Sequence, residues 1–283
     1  MKSDQIDAVS VARAVVKDGV ERFAAAYLDD RAMEIRLLSD HRQDLVAERT
    51  RAQNRLRWHL VALCPELERS LKRGSLEQTR SLDRIDRRLR RTPASARVRV
   101  AREVVAQVRG LTRQVKTLEE ELLVMVAAYR PQLLIEMGCG TLTAAILIGR
   151  TAGAERYRTE ASFARQAGAA PIPASSGQRD QLRLDRGGDR QLNRALHTIA
   201  ITRASHDAAT KTYLARKQAE GKTKKGALRC LKRHLARRFH HLLSQPPQPA
   251  DHQATIIHDH PSRRLNADHS ITGTAPTPMI CIT

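Results

Sequence analysis

Between residues 95 and 129 the chain reads SARVRVAREVVAQVRGLTRQVKTLEEELLVMVAAY. Apolar side chains recur three and four residues apart in this stretch, at Ala101, Val104, Val108, Leu111, Val115, Leu118, Leu122 and Met125. This alternation places them on one seam of a helix, a pattern that is typical of a coiled coil. Gly110 is a weak point in it, because glycine costs a helix interior about 1 kcal/mol relative to alanine.

A second long helix is predicted over residues 33–63, where leucines recur among charged residues until Pro65 breaks the helix. Residues 66–94 are polar and rich in arginine, and we interpret them as a connector. Together these segments predict an antiparallel coiled-coil arm over residues 33–130, which buries its seam against itself or against a second copy of the chain. The alternative is a lone amphipathic helix packed on a globular domain.

The composition favours a mainly α fold and a polyanionic partner. Aromatic residues make up 3% of the 283 residues, so the core must consist of Leu, Val, Ile and Ala, which favours helix packing over a β-sandwich or barrel. The chain has 50 Lys and Arg against 30 Asp and Glu, a net charge of +20. Because such an excess attracts polyanions and arginine fits phosphate oxygens in pairs, we expect nucleic acid as the partner. A basic protein without a dedicated ligand is the alternative.

The remaining segments complete the predicted organisation. A short helix is expected over residues 4–17, and a compact helical region over residues 131–243, where Gly, Pro and Ser clusters separate the helices. Residues 244–283 are interpreted as a disordered tail, because they have too few apolar residues to offset the entropy of ordering.

No signal peptide and no apolar run of about 20 residues occurs in the sequence, which predicts a cytoplasmic protein. The four cysteines, Cys64, Cys139, Cys230 and Cys281, are scattered and lack zinc-site spacing, so we interpret them as ordinary reduced thiols.

Two residue pairs could support phosphodiester chemistry. Asp4 and Asp7 fall one helical turn apart, a spacing at which carboxylates can hold divalent metal ions; a solvated helix start is the alternative. Ser175 and Ser176 precede Gly177. Cations stabilise the charge that develops when a hydroxyl attacks, so a catalytic serine is favoured by the arginines that follow, namely Arg179, Arg183 and Arg186. A loop or a helix cap is the alternative for the serines.

Two further motifs point to nucleic-acid binding. Gly138, Gly140 and Thr141 resemble the hairpin of a helix-hairpin-helix, in which free N–H groups at a helix start bind a DNA phosphate; a plain helix start is the alternative. Residues 211–238 hold eleven Lys or Arg against Glu220, above an apolar stripe of Leu228, Leu231, Leu235 and Phe239. This pattern favours a basic helix anchored on nucleic acid over a merely solvated face. Its candidate contacts are Lys222, Lys224, Lys225, Arg229, Lys232 and Arg233.

The order of these motifs resembles the bacterial insertion-sequence transposases of the family usually numbered one hundred and ten. The resemblance covers roughly residues 1–240 and consists of Lys2-Ser-Asp-x-x-Asp-Ala8, Arg36-Leu-Leu, Arg49-Thr-Arg-x-x-Asn-Arg-Leu56, Gly138-x-Gly140, Gly168-x-x-Pro171, Ser175-Ser-Gly177, Gly188 with Leu192, and Gly221-Lys222. Each piece is short, and their order and spacing together are specific.

Members of that family join a resolvase-like domain of ribonuclease-H fold, carrying an Asp-Glu-Asp-Asp set, to a coiled coil and a domain with a catalytic serine. The resemblance implies that residues 1–32 are the end of the nuclease domain, with Asp4 and Asp7 as the last two acids of a Mg²⁺-binding set. It implies that residues 131–243 form the serine domain, in which Ser176 is the nucleophile that links covalently to DNA and Ser175 is the second choice. It also implies a structured guide RNA, a dimer or tetramer, and a place at the bacterial nucleoid.

The chain departs from the family pattern at its start. In the family a long segment that supplies the first Asp and the Glu precedes the Lys-Ser-Asp motif, whereas here Met1 stands directly before that motif. We therefore expect a truncated, inactive copy, because two acids alone do not complete the metal site. The rival interpretation is a non-catalytic, oligomeric nucleic-acid-binding protein.

Overall fold

The computed structural model describes residues 4–22, 28–173, 182–184 and 187–246. They belong to one compact unit, Met1–Pro249, and the other unit, Ala250–Thr283, lies outside the described residues. The described part is mainly helical, as the composition predicts. No helix in these ranges is both long enough and apolar enough to cross a membrane.

Two helices of 34 residues each dominate the first half of the chain, α2 (Asp30–Leu63) and α5 (Ala96–Tyr129). Each begins at a residue whose side chain accepts a hydrogen bond from the first turn, Asp29 for α2 and Ser95 for α5. They run antiparallel, because Arg42 near the start of α2 pairs with Glu119 near the end of α5.

The predicted seam of α5 is largely buried. Six of its eight residues are buried, namely Ala101, Val104, Val108, Leu111, Val115 and Leu122, and the other two, Leu118 and Met125, are half-buried. The paired helices agree with the predicted antiparallel arrangement, while their supercoiling as a coiled coil stays a prediction.

Residues 66–94 are more ordered than the predicted connector. They include most of α3 (Pro65–Arg69), a short 3₁₀ turn (Ser75–Glu77) and α4 (Thr79–Arg90). Leu82, Ile85 and Leu89 of α4 are buried in a common core with apolar residues of α2 and α5. These residues do connect α2 to α5, but the connection includes a helix, α4, that the composition did not indicate. Three apolar residues at helical spacing suffice to bury this helix even among many arginines. We call α2 to α5 together the arm.

The second half of the described chain is a cluster of short helices around a second core. These are α6 (Gln132–Ile135), α7 (Thr141–Thr151), α8 (Glu160–Gln166), α9 (Arg190–His206), α10 (Ala208–Ala219) and α11 (Lys224–Ser244). Their core includes Phe163, Leu147 and Phe239, and it also takes in Ile35 of α2 and Leu122 of α5. The arm and the short helices thus share one core at the base of the arm.

Gly149 of α7 lets this helix cross α2 closely. A Cβ at Gly149 would lie 2.6 Å from the Cβ and 2.7 Å from the Cα of Arg36. At the same crossing the guanidinium of Arg150 pairs with Asp40 of α2. A glycine followed by an arginine therefore fixes how α7 sits on the base of the arm.

Two three-residue strands form an antiparallel pair, β1 (Pro171–Pro173) and β2 (Leu182–Leu184), with Ile172 opposite Arg183. The sequence did not predict them, because strands this short carry no period-two pattern. Proline lacks a backbone N–H, so two prolines in β1 confine it to the edge of a sheet. We call β1 and β2 the hairpin stem.

The first helix, α1 (Asp4–Asp18), agrees with the helix predicted over residues 4–17. Its apolar side chains Ile6, Val9, Val11 and Val16 are exposed. The assignment of this region to a ribonuclease-H-like domain stays a prediction. Residues 247–283 of the predicted disordered tail lie outside the described residues.

Candidate nucleic-acid interface

The hairpin stem is seated by a close approach of two glycines. A Cβ at Gly188 would lie 2.4 Å from the amide nitrogen and 2.6 Å from the Cα of Gly168. Directly beside this contact, the amide of Asp189 donates a 2.6 Å hydrogen bond to the carbonyl oxygen of Gln166. Only a residue without a Cβ permits this approach, so Gly188 joins the segment before β1 to the segment after β2.

A series of hydrogen bonds links the same junction to α9 and α11. Asn193 of α9 donates from Nδ2 to the carbonyl oxygens of Ala167 (2.8 Å) and Gly168 (2.9 Å). Its Oδ1 accepts a 2.6 Å hydrogen bond from Nζ of Lys232 on α11. Lys232 is only 8% exposed, so its ammonium group acts as a tie between two helices and the turn before β1.

A basic cleft of about 700 Å³, here called the hairpin cleft, opens at this junction. Its lining residues are Gly168, Gly188, Arg190, Asn193, Arg194, His197, Lys225, Leu228, Arg229 and Lys232. None of them is acidic, and within the described ranges no carboxylate pairs with Arg190, Arg194 or Arg229. Cations without carboxylate partners among the described residues give this cleft a positive field, and such a field attracts polyanions.

The electrostatics of the cleft agree with this interpretation. The pKa of Lys232 is lowered mainly by burial and to a lesser extent by repulsion from Arg229. The pKa of His197 is lowered mainly by burial and to a lesser extent by repulsion from Lys232. Both shifts indicate a site in which positive charge is unfavourable until an anion enters. A phosphate in the cleft would raise both pKa values.

A smaller cleft of about 470 Å³, the Tyr213 cleft, shares Arg229 with the hairpin cleft. Lys222 and Arg233 line it together with the start of β1. The hydroxyl of Tyr213 has no hydrogen-bond partner in the described part of the chain. The two clefts thus continue one basic surface along α11.

The predicted helix-hairpin-helix turn lies between α6 and α7. Gly138 has a φ of +81°, and a Cβ there would lie 3.1 Å from the carbonyl oxygen of Ile199, so this glycine serves the packing of the turn on α9. Gly140, by contrast, is exposed at the start of α7, and a Cβ added to it would have no neighbouring atom within 4 Å. The free N–H groups of Thr141 and its neighbours are therefore the part of the motif that could contact a phosphate.

Glu136 holds this turn in place. Its carboxylate accepts hydrogen bonds from Arg203 of α9 and from Arg238 of α11, the latter at 2.6 and 3.0 Å. Arg203 also donates from Nε to the carbonyl oxygen of Met137 at 2.8 Å. Three elements therefore meet at one carboxylate that is only 14% exposed.

The structure brings most of the basic residues predicted on and just before α11 into the two clefts. Lys225, Arg229 and Lys232 line the hairpin cleft, Lys222 and Arg233 line the Tyr213 cleft, and Lys224 is exposed at the start of α11. All six were predicted contacts. The binding roles themselves stay predictions.

Other predicted site residues are placed less fully. Ser175, Ser176, Arg179 and Arg186 lie outside the described residues, between and after the two strands of the stem. The backbone of Arg183 lies in β2 opposite Ile172, and Asp4 and Asp7 lie on α1, but these three side chains are not described. In the ranges that are described, no three His, Cys, Asp or Glu residues come close enough to share a metal ion.

Four cleft residues on α9 were not among the named candidate contacts, although the first three lie in a glycine-rich, basic stretch whose sequence favours phosphate binding. They are Arg190, Asn193, Arg194 and His197. A signal for them was present, because positions 190, 193, 194 and 197 follow the helical spacing that puts side chains on one face. Asn193 could not be recognised in this way, since its role depends on a contact with Lys232, 39 residues away.

Two family profiles match the sequence. One, described as "Transposase IS116/IS110/IS902 family", matches residues 132–215, and the transposase profile DEDD_Tnp_IS110 matches residues 1–65. The chain belongs to the IS110 family of insertion-sequence transposases. The profile over residues 132–215 takes in the Gly138 turn, the hairpin stem and α9, so these features lie in the part that the transposase shares with its family.

A curated relative agrees with this assignment. The transposase is 28% identical over 270 residues to the "Insertion element IS110 uncharacterized 43.6 kDa protein" of Streptomyces coelicolor. The alignment covers 80% of this chain and 67% of the relative. Membership of the family implies a role of the transposase in insertion-sequence transposition, with DNA as its partner.

Proposed function

We propose that this transposase binds DNA in the hairpin cleft and cuts and rejoins its strands through Ser176. The observation that carries the proposal is the seating of the hairpin stem. The two paired strands that flank Ser175 and Ser176 in the sequence are tied, through Gly168, Gly188 and Asn193, to a cleft lined by cations without carboxylate partners among the described residues.

The chemistry assigns separate roles to the serine and the cations. The Oγ of Ser176 gives up its proton and bonds to phosphorus, while the bond from phosphorus to the adjacent sugar oxygen breaks and that oxygen gains a proton. The transition state carries extra negative charge on the phosphoryl oxygens. Arg190, Arg194 and Arg229 line the cleft beside the stem, and their guanidinium groups would stabilise that charge.

The proposal includes Mg²⁺ bound by Asp4 and Asp7. These acids are three residues apart on α1, about one helical turn, and a pair of acids at this spacing can supply two oxygen ligands. Mg²⁺ prefers six oxygen ligands, and two acids alone do not complete such a set. Cutting and rejoining therefore require further ligands from other groups, such as the DNA phosphate and water. A chain that does not gain them is the inactive copy expected from the sequence, and it retains DNA binding without the reaction. When bound, the ion would neutralise charge on the phosphate.

The finer partners are also part of the proposal. A structured guide RNA and assembly as a dimer or tetramer follow from the family resemblance, and so does a location at the nucleoid in the cytoplasm. The net charge of +20 supports binding of a second polyanion besides DNA.

A covalent adduct tests the proposed chemistry. Purified full-length protein is incubated with Mg²⁺, labelled element-end DNA and the RNA transcribed from the element. The expected result is a protein–DNA adduct that survives denaturing electrophoresis and is lost in Ser176→Ala. Ser175→Ala is the matched control, because it removes a neighbouring hydroxyl, and it should retain the adduct.

Two outcomes would change the proposal. An adduct that persists in Ser176→Ala and disappears in Ser175→Ala would move the nucleophile to the neighbouring serine. No adduct under any condition, with DNA binding intact, would favour the rival function of a non-catalytic nucleic-acid-binding protein.

A further inference from the structure

A second basic cleft lies at the far end of the arm, away from the hairpin stem. It has a volume of about 710 Å³ and is formed by the end of α2, the short helix α3 and the second half of α4. We call it the arm-tip cleft. Its charged lining residues are Arg69, Arg84, Arg87, Arg88, Arg91 and Glu66.

The arginines of this cleft differ in their partners from three arginines that lie near it on the arm. Arg57, Arg90 and Arg109 each form an ion pair, with Glu68, Asp86 and Asp83 respectively. Within the described part of the chain, no carboxylate lies within ion-pair distance of any of the five arginines that line the arm-tip cleft. The lining thus combines five arginines that have no ion-pair partner among the described residues with a single carboxylate, Glu66, and it keeps a net positive charge.

Three of the five side chains are positioned by neutral acceptors. Arg84 donates to Oγ of Ser70, Arg87 to the carbonyl oxygen of Asp83, and Arg69 to that of Pro65. Each of these bonds uses one of the five N–H donors of a guanidinium group. The groups are therefore held in place and keep most of their donors for a ligand.

Stabilisation of a helix end explains only part of this cluster. Cations near the last turn of α4 interact favourably with its dipole, which accounts for Arg87, Arg88 and Arg91. It does not account for Arg84, which lies before the last turn of α4. Arg69 lies in the last turn of α3, but this helix has only five residues, so its summed dipole is small. The convergence of arginines from two helices on one cleft points to an anionic ligand.

The lining also indicates the form of that ligand. It contains no aromatic side chain on which a base could stack, so recognition rests on phosphates, as in binding to a double helix. Arginine forks suit the phosphate oxygens of such a backbone.

The position of the cleft fits a continuous duplex. Gln43 of α2 hydrogen-bonds to Gln191, next to the hairpin cleft, at 2.8 Å. The 20 residues from Gln43 to Leu63 span about 30 Å at 1.5 Å per residue, close to one helical turn of DNA. A duplex that lies along the arm can therefore meet both clefts about one turn apart.

We propose that the arm-tip cleft binds the phosphate backbone of double-stranded DNA about one helical turn from the DNA held at the hairpin cleft. This contact extends the proposed function to flanking DNA and gives the arm a role in positioning the duplex. It does not depend on Ser176 acting as a nucleophile.

Salt-dependent binding of full-length variants tests the proposal. The double variant Arg84→Gln/Arg88→Gln is titrated with a DNA duplex of about four helical turns at several salt concentrations. Losing two phosphate contacts should weaken binding and reduce the slope of log K against log salt by about 1.8. Thermal melting followed by circular dichroism checks that the variant is folded.

The matched control is Arg90→Gln/Arg99→Gln, which removes the same charge from the arm at residues that are ion-paired and do not line the cleft. Its slope should stay near that of the parent protein. An equal reduction in both double variants would overturn the proposal, because it would reflect net charge alone. A loss confined to single-stranded DNA or to RNA would also overturn it.

A third variant separates this proposal from the function proposed for the serine domain. Arg190→Gln/Arg194→Gln removes charge from the hairpin cleft. If only this variant lowers the slope, the arm-tip proposal fails and DNA binding at the hairpin cleft stands. If only the arm-tip variant lowers it, DNA binding by the arm-tip cleft stands, while binding at the hairpin cleft and the proposed spacing of one helical turn both fail.

Discussion

Replacing Gly188 by alanine would disturb the seating of the hairpin stem. The new Cβ would lie 2.4 Å from the amide nitrogen of Gly168 and 2.8 Å from the carbonyl oxygen of Gln166. Because both neighbours are backbone atoms, they cannot turn aside, and the two segments must separate. We expect a cost of about 1–3 kcal/mol from overpacking, and about 1 kcal/mol more from losing the hydrogen bond between Asp189 and Gln166.

Hydrogen exchange measured by mass spectrometry is the suitable assay, because the strain is confined to one junction. A local destabilisation of about 2 kcal/mol corresponds to roughly 30-fold faster exchange. The acceleration should appear in peptides that cover residues 164–173 and 187–193, while peptides from α2 and α5 keep their protection. The rate of DNA strand joining should also fall in this variant, whereas DNA binding through the arm-tip cleft should persist.

Gly140→Ala is the matched control, since Gly140 has ordinary backbone angles and no atom within 4 Å of an added Cβ. It should leave exchange in these peptides unchanged. If Gly188→Ala also left exchange within about threefold of the parent protein, less than 1 kcal/mol, the close glycine contact could not be what seats the stem.

Three further predictions concern stability. Gly149→Ala should lower the free energy of unfolding, measured in urea, by about 1–3 kcal/mol, because the new Cβ meets the backbone of Arg36. Gly110→Ala should raise this free energy by about 0.5–1 kcal/mol, because Gly110 lies in a helix with open space around it. A change of the same sign in both variants would contradict this pair of predictions. Glu136→Gln should cost about 1.5–3 kcal/mol in the same assay, since it weakens charge-assisted bonds to two arginines, and an unchanged urea midpoint would refute that role. Burial raises the pKa of Cys139 from 9.0 to about 12. Above pH 9 the thiol therefore ionises only in the unfolded protein. The free energy of unfolding then falls by up to about 1.4 kcal/mol per pH unit. Between pH 8 and pH 10, Cys139→Ala should therefore lose less stability than the parent protein, and equal losses would contradict the assignment.

The long elements could be predicted from the sequence because their signal is repeated many times. The seam of α5 recurs over 34 residues, and the stripe of α11 places Leu231, Leu235 and Phe239 in the core as expected. In α4 the signal is only three apolar residues long, and the many arginines around it favoured a connector. The local composition therefore did not indicate this helix, because burial against α2 and α5 stabilises it.

The candidate site was only half predictable for a similar reason. Basic residues on α11 and just before it stand out by charge density, and five of the six predicted contacts in this stretch line a cleft. The tie between Asn193 and Lys232, and the contact between Gly168 and Gly188, join segments that are far apart in sequence and leave no local pattern. Such contacts become visible only when the helices are packed.

Peptide mapping of the covalent adduct tests the central claim most directly. After the reaction with DNA, nuclease trimming and trypsin digestion, the peptide of residues 166–179 contains Ser175 and Ser176 as its only hydroxyl side chains. The account predicts that this peptide carries a nucleotide and that fragmentation places it on Ser176. A nucleotide on a residue outside this peptide would contradict a serine nucleophile in the segment that links the two strands of the hairpin stem.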